Sequence, residues 1–211
     1  MAFLSVAFDA GLPQARWGPL FHVFCLEQRD VVFEWRPVPF PVRGRPLLAD
    51  ADVGIFLHPP DEPGLSALAI DASPLAVVMA AGHPIADKVE LAVADVIDQP
   101  FPGGRKHHPE WAAFWTLDEQ RGGPAARTDD DVSDANEGLE VIAAGRAIGT
   151  VPIWVVGGLT HPGVVALPLR DGPQVITSLV WRTDNENPLV RRFAELAKAW
   201  TAEERRNGQR P

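Results

Sequence analysis

The sequence has a single cysteine, Cys25, so no disulfide can form within the chain and the fold must rest on a hydrophobic core. Such sparing use fits a reducing compartment. Cys25 lies in the apolar stretch Leu20–Leu26 and is expected to be a small buried hydrophobe rather than a reactive thiol. Long apolar runs are also missing, and none approaches the length needed to span a bilayer. The segment Met1–Pro13 lacks the basic and extended apolar parts of a secretory signal, which points to the cytoplasm. Positive charge is short: 19 Lys and Arg stand against 28 Asp and Glu, for a net charge of −9. A duplex-binding face displaces counterions with Lys and Arg, so this chain is not expected to grip nucleic acid unaided. Catalytic signatures are absent as well. The sequence contains no G-x-S-x-G, Walker loop, G-x-G-x-x-G or H-E-x-x-H, and none of its few serines adjoins a histidine. No catalytic residue, metal site or cofactor is therefore assigned, and the chain is expected not to be an enzyme.

What is present is ordinary for a globular protein. Hydrophobic residues make up 46% and charged residues 22% of 211, enough for one good-sized domain or two small lobes. Apolar runs alternate with helical patterns. Ser5–Ala10 reads as a buried strand, and Pro13 as part of the first turn of a helix carrying Trp17, Leu20, Phe21 and Phe24 on one face. Val31–Val38 and Asp52–Leu57 read as strands, followed by separate strands over Leu65–Asp71 and Leu75–Ala81. Short helices are expected over Leu91–Asp98 and Glu110–Arg121, the second with Trp111, Phe114, Trp115 and Leu117 on one face. Asp134 is a good N-cap whose helix runs to Ala144 and stops at Gly145, and Glu137 is placed to close a capping box. Strands over Ala147–Val151, Val164–Leu169 and Val175–Trp181 precede a last helix, begun by Asn187-Pro188, with Leu189, Phe193, Leu196, Ala197 and Trp200 on its inner face. Thr201–Pro211 is polar and is expected to fray. Such alternation favours an α/β fold with mostly parallel sheets.

Several stretches go beyond generic α/β. In order they are Asp52-Val53-Gly54-Ile55, Pro74-Leu75-Ala76-Val77-Val78-Met79, Ala81-Gly82-His83-Pro84-Ile85-Ala86, Val93 through Phe101, and Gly138 through Pro152, closed by Trp181-Arg182-Thr183-Asp184. As an ordered set they resemble the effector-binding domain of LysR-type transcriptional regulators, from Leu4 to about Trp200. The resemblance implies a type 2 periplasmic-binding-protein-like fold, with two Rossmann-like lobes joined by two crossover segments. Lobe I would be 1–74 with 177–200, and lobe II 75–176. The family normally begins with a winged helix-turn-helix. Here the first strand starts within a few residues of Met1, so these residues are expected to reach DNA only through a domain they do not include.

Ligands of open α/β folds sit at the carboxyl ends of strands, near helix N-termini with unpaired N–H groups. The positions that meet this description, and that line the inducer cleft in the family, are Asp9, Ala10, Gly11, Pro39, Phe40, Pro102, Gly103, Val132, Ser133, Thr150 and Val151. Most have a plainer reading. Asp9 can cap the following helix, Ser133 can start one, and Thr150 can pack as a β-branched strand residue. The basic run Arg105-Lys106-His107-His108 reads as a solvated loop. The resemblance implies a small-molecule effector, a homodimer or higher oligomer, and no membrane. The rivals on the same scaffold are a solute-binding protein for transport and an enzyme. The missing export signal speaks against the first, and the missing signatures against the second.

Overall fold

The computed structural model describes residues 2–9, 16–38, 48, 50–58, 62–103 and 109–208. The chain forms two compact units, Met1–Ala72 with Ile176–Pro211, and Ser73–Val175.

In the first unit, β1 (Ala2–Asp9) pairs in parallel with β2 (Val31–Val38) and β3 (Val53–Leu57), and β3 pairs antiparallel with β7 (Gln174–Arg182). The parallel arrangement expected from the alternation thus holds for the first three strands only. Every residue of β3 is buried, as befits a strand flanked on both edges and covered on both faces. Alternation sorts the side chains. Leu4, Val6 and Ile55 enter one core with α1 (Gly18–Glu27) and α6 (Pro188–Gly208), while Ala7, Phe56 and Val180 enter a smaller one with Leu48. The larger core is aromatic. Phe193 stacks on Phe21 at 5.2 Å between ring centroids and meets Phe24 edge-on at 5.0 Å.

The expected inner faces of both helices are present, and Asn187 Oδ1 accepts the Leu189 N–H as an N-cap should. Pro13 lies outside the described residues. Cys25 is exposed, contrary to expectation: α1 is apolar nearly all round, and Leu20, Phe21 and Phe24 already fill its inner face. The last helix continues past Trp200, and the buried Thr201 hydroxyl meets the carbonyls of Ile70 and Ala197. The Ala-Glu-Glu-Arg-Arg run after Thr201 is made of good helix formers. Ser5 and Asp52 join β1 to the start of β3. Asp52 Oδ2 accepts from both the N–H and the hydroxyl of Ser5, each at 2.8 Å.

One strand, β4 (Leu65–Ala80), replaces the expected pair and runs from the first unit into the second. Pro74 does not break it, because its fixed φ suits extended backbone and it lies just before Leu75, the first residue paired with β5 (Gly149–Pro152). In the second unit β4 pairs antiparallel with β5 and with β6 (Val164–Pro168), so parallel pairing is not the rule there. Leu75 through Met79 are fully buried. The helix expected over Leu91–Asp98 shrinks to α2 (Val93–Val96), because Leu91 pairs with Leu169 instead. The helix expected over Glu110–Arg121 is split into α3 (Pro109–Trp115) and α4 (Asp118–Arg121). Thr116 bonds back to the Ala112 carbonyl, and the fully buried Leu117 turns left-handed at φ 58°. α5 (Ala135–Ala143) is capped by Asp134 and followed by the left-handed Gly145, both as expected.

Candidate functional site

In the first unit the parallel strands β1, β2 and β3 present their carboxyl ends at one edge, at Asp9, Val38 and Leu57. Asp9 is the last residue of β1, opposite Val38. Ala10, Gly11, Pro39 and Phe40 lie outside the described residues. Two residues at this edge escaped the sequence reading. His58 follows β3 in a left-handed conformation at φ 46°, an uncommon backbone for a non-glycine residue, and its N–H donates to the Ile176 carbonyl at 2.7 Å. Burial holds its imidazole below the ordinary histidine range. Thr177, opposite Leu57 on β7, is 0% exposed and its hydroxyl has no hydrogen-bond partner among the described residues. Leaving a buried hydroxyl unpaired costs about 1–3 kcal/mol, so its place beside the carboxyl ends calls for an explanation. Sequence could not single it out, because an apolar run with one threonine does not say which face that threonine takes.

In the second unit the remaining candidates fall into two connected groups. Phe101-Pro102-Gly103 runs beside residues 126–132. The Phe101 N–H meets the Ala126 carbonyl at 2.9 Å, the Thr128 N–H meets the Phe101 carbonyl at 2.9 Å, and the Gly103 N–H meets Thr128 Oγ1 at 3.2 Å. The Val132 N–H reaches the Gly103 carbonyl at 3.4 Å. Gly103 is required there, because a Cβ would come within 2.2 Å of the Asp130 carbonyl and 2.4 Å of the Thr128 carbonyl. Pro102 and Gly103 are thus brought to Val132 and Ser133.

The Ser133 N–H and hydroxyl both bond Glu137 Oε2, at 2.7 and 2.8 Å. Glu137 therefore reaches one residue before the N-cap rather than to the cap itself, which corrects the expected capping box. Asp134 takes the N–H groups of Asn136 and Glu137, so those first-turn donors of α5 are already satisfied. Thr150 and Val151 lie on β5 opposite Val77 and Ala76. The Thr150 hydroxyl donates to the Trp115 carbonyl and so ties β5 to α3. Asp130, paired with Arg146 at 2.6 Å, has its carboxyl held below the usual range by the Thr128 hydrogen bond, with burial opposing and Arg146 adding. Among the described residues no group of His, Cys, Asp and Glu is placed to hold a metal ion, and no helix is long and apolar enough to cross a membrane.

Residues 4–202 match the family model described as the LysR substrate binding domain. The effector binding domain of BenM with its effector benzoate is 17% identical, covers 100% of this chain and 96% of its own, and superimposes with a TM-score of 0.74. The effector binding domain of QuiR in complex with shikimate is 15% identical over 96% of this chain and 98% of its own, also at 0.74. Full-length CbnR complexed with its target DNA is 20% identical over 94% of this chain and 70% of its own, at 0.72. Likeness at such low identity shows the fold, and that fold is the α/β, type 2 periplasmic-binding-protein-like one. No match is found among curated proteins by sequence.

Proposed function

Because the chain belongs to the LysR substrate binding domain family, we propose that it is the ligand-sensing part of a LysR-type transcriptional regulator, cytoplasmic and non-catalytic. A small-molecule effector takes up the carboxyl-edge groups of the first unit; the Gly103–Ser133 and Thr150 groups are the second unit's own candidate contacts. It acts by preferring one arrangement of the protein over another, and the response can be no larger than that preference. The observation that carries this reading is the fully buried, unpartnered Thr177 hydroxyl at the edge where β1, β2 and β3 end. It is a polar group without a partner among the described residues, and so one prepared to receive a ligand. Base readout is left to another part of the regulator, in keeping with the net charge of −9. The exposed Phe3, Val23, Leu26 and Trp35 of the first unit support assembly as a homodimer or higher oligomer.

Ligand-dependent thermal shifts across a panel of small metabolites, starting with benzoate and shikimate, identify an effector. Thr177→Val keeps the volume and removes the orphan hydroxyl. It should weaken effector binding about fivefold to tenfold, the loss of one net hydrogen bond, while leaving the ligand-free melting temperature unchanged or higher. Ser133→Ala and Thr150→Val should weaken it too. Unaltered affinity in all three variants for a validated ligand would remove the site assignment.

A further inference from the structure

The second unit holds two arginines that its acidic surroundings leave unpaired. Among its described basic residues, Lys88 pairs with Asp95, Arg146 with Asp130 and Arg170 with Glu90. Arg121 and Arg127 have no carboxylate within ion-pair distance among the described residues. Arg121 is the more unusual. Its Nε and Nη2 are shielded from solvent and have no hydrogen-bond partner among the described residues. Its guanidinium carbon lies 5.9 Å from the centroid of the Phe101 ring. A ring face offsets part of the cost of desolvating a guanidinium, but it does nothing for N–H groups that radiate in the guanidinium's own plane.

Arg127 adjoins the same residue through its backbone. It is the bridge partner of Phe101, and its Nη2 reaches Thr116 Oγ1 at 3.4 Å. Asp118, which shares Thr116 with Arg127, is engaged already: its Oδ1 accepts from the Thr116 hydroxyl at 2.6 Å and the Ala125 N–H at 3.1 Å. Arg121 thus keeps two shielded N–H groups beside a buried ring, and the backbone of Arg127, whose guanidinium meets no carboxylate among the described residues, bridges that same residue. A guanidinium fork matches the paired oxygens of a carboxylate or a phosphate, and such charge-assisted bonds are the strong ones.

We propose that Arg121 and Arg127, beside Phe101, form an oxyanion site on the second unit that takes a carboxylate or phosphate group. It uses none of the hydroxyls assigned to the effector, so either site can fail without the other.

The test uses the full chain with inorganic phosphate and, separately, acetate, at constant ionic strength made up with chloride, read by calorimetry. One saturable site is expected. Arg121→Met should weaken it roughly tenfold or more, as expected for losing charge-assisted hydrogen bonds, and Arg127→Gln should weaken it less. Without added anion, Arg121→Met should be at least as stable as the parent, because two shielded, unpaired guanidinium nitrogens have gone. Thr177→Val should leave anion affinity unchanged. Tighter phosphate assigns a phosphate ester, and tighter acetate a carboxylate. Absence of saturable binding of either anion overturns the proposal, as does equal affinity in Arg121→Met. Should that variant not fold, Arg121→Lys keeps the charge and loses the fork, and unchanged affinity there overturns it equally.

Discussion

Each unit is stabilised internally by its own means. The first wraps two long helices onto a sheet through one aromatic cluster, in which Phe193 touches Phe21, Phe24 and Phe33. Its polar stitching, Ser5 to Asp52, lies at the amino end of β3, away from the edge where strands β1 to β3 finish. The second has an aliphatic strand core, Leu75 to Met79, and shorter helices, and it fixes its loops by polar contacts that run through the candidate site itself. Burial can therefore stabilise the first unit without engaging its carboxyl edge, whereas in the second the site and the scaffold share hydrogen bonds. Substitutions at the first unit's edge should separate binding from stability, and those in the second unit's loop should change both.

The largest effect should come from the aromatic cluster. Phe193→Ala should cost about 3–5 kcal/mol in chemical denaturation, the usual range for emptying a packed aromatic position. Next, Gly103→Ala should cost about 3 kcal/mol, the upper end for overpacking, because the clash is with backbone and not with a movable side chain. Amide exchange should show the loss centred on residues 126–132, and effector binding should fall with it. If the exchange stays unchanged, the loop is not the second unit's scaffold.

Ser5→Ala should cost about 2 kcal/mol at neutral pH, since it strips a carboxylate of a hydrogen bond. Burial pushes the Asp52 carboxyl up, but hydrogen bonds from Ser5, Asn187 and Asn185 outweigh it and hold the group below its ordinary 3.8. A depressed folded-state value stabilises above the unfolded value and is lost as pH falls through the folded one. The gap between parent and Ser5→Ala should accordingly narrow as the pH drops below about 4. A gap that widened in acid would contradict this origin. Asp134→Ala should cost about 1 kcal/mol by uncapping α5. Arg170→Ala, breaking an exposed pair with Glu90, should cost under about 0.5 kcal/mol.

Much of the fold was legible before any coordinates. β2 spans Val31–Val38 as read, α6 begins at the Asn187-Pro188 signal, and α5 is framed by Asp134 and Gly145. These are local signals, in which a cap or an alternation needs only its near neighbours. Misreadings fell where distant partners decide. Leu65–Asp71 and Leu75–Ala81 read as separate strands, yet β4 runs through Pro74 into pairing with β5. Leu117 fitted a helical stripe, yet its burial goes with a left-handed turn that divides the helix. Cys25 fitted an apolar stretch, yet it sits on the outer side of α1. Of the candidate site, Gly103 and Ser133 were legible as loop and cap chemistry. Thr177 and His58 were not, because nothing in their neighbours reveals an orphan hydroxyl or a left-handed backbone.

Periodicity, caps and charge, carried by short stretches, were enough to determine an α/β chain without catalytic signatures, and the ordered stretches from Asp52 to Asp184 carried its resemblance to the LysR effector-binding domain. Which hydroxyls and guanidinium nitrogens are shielded without partners among the described residues was decided only by tertiary structure. The physical reason is that burial and hydrogen-bond satisfaction depend on residues brought together from far apart in the chain, as Leu57 is with Thr177 and Phe101 with Arg127.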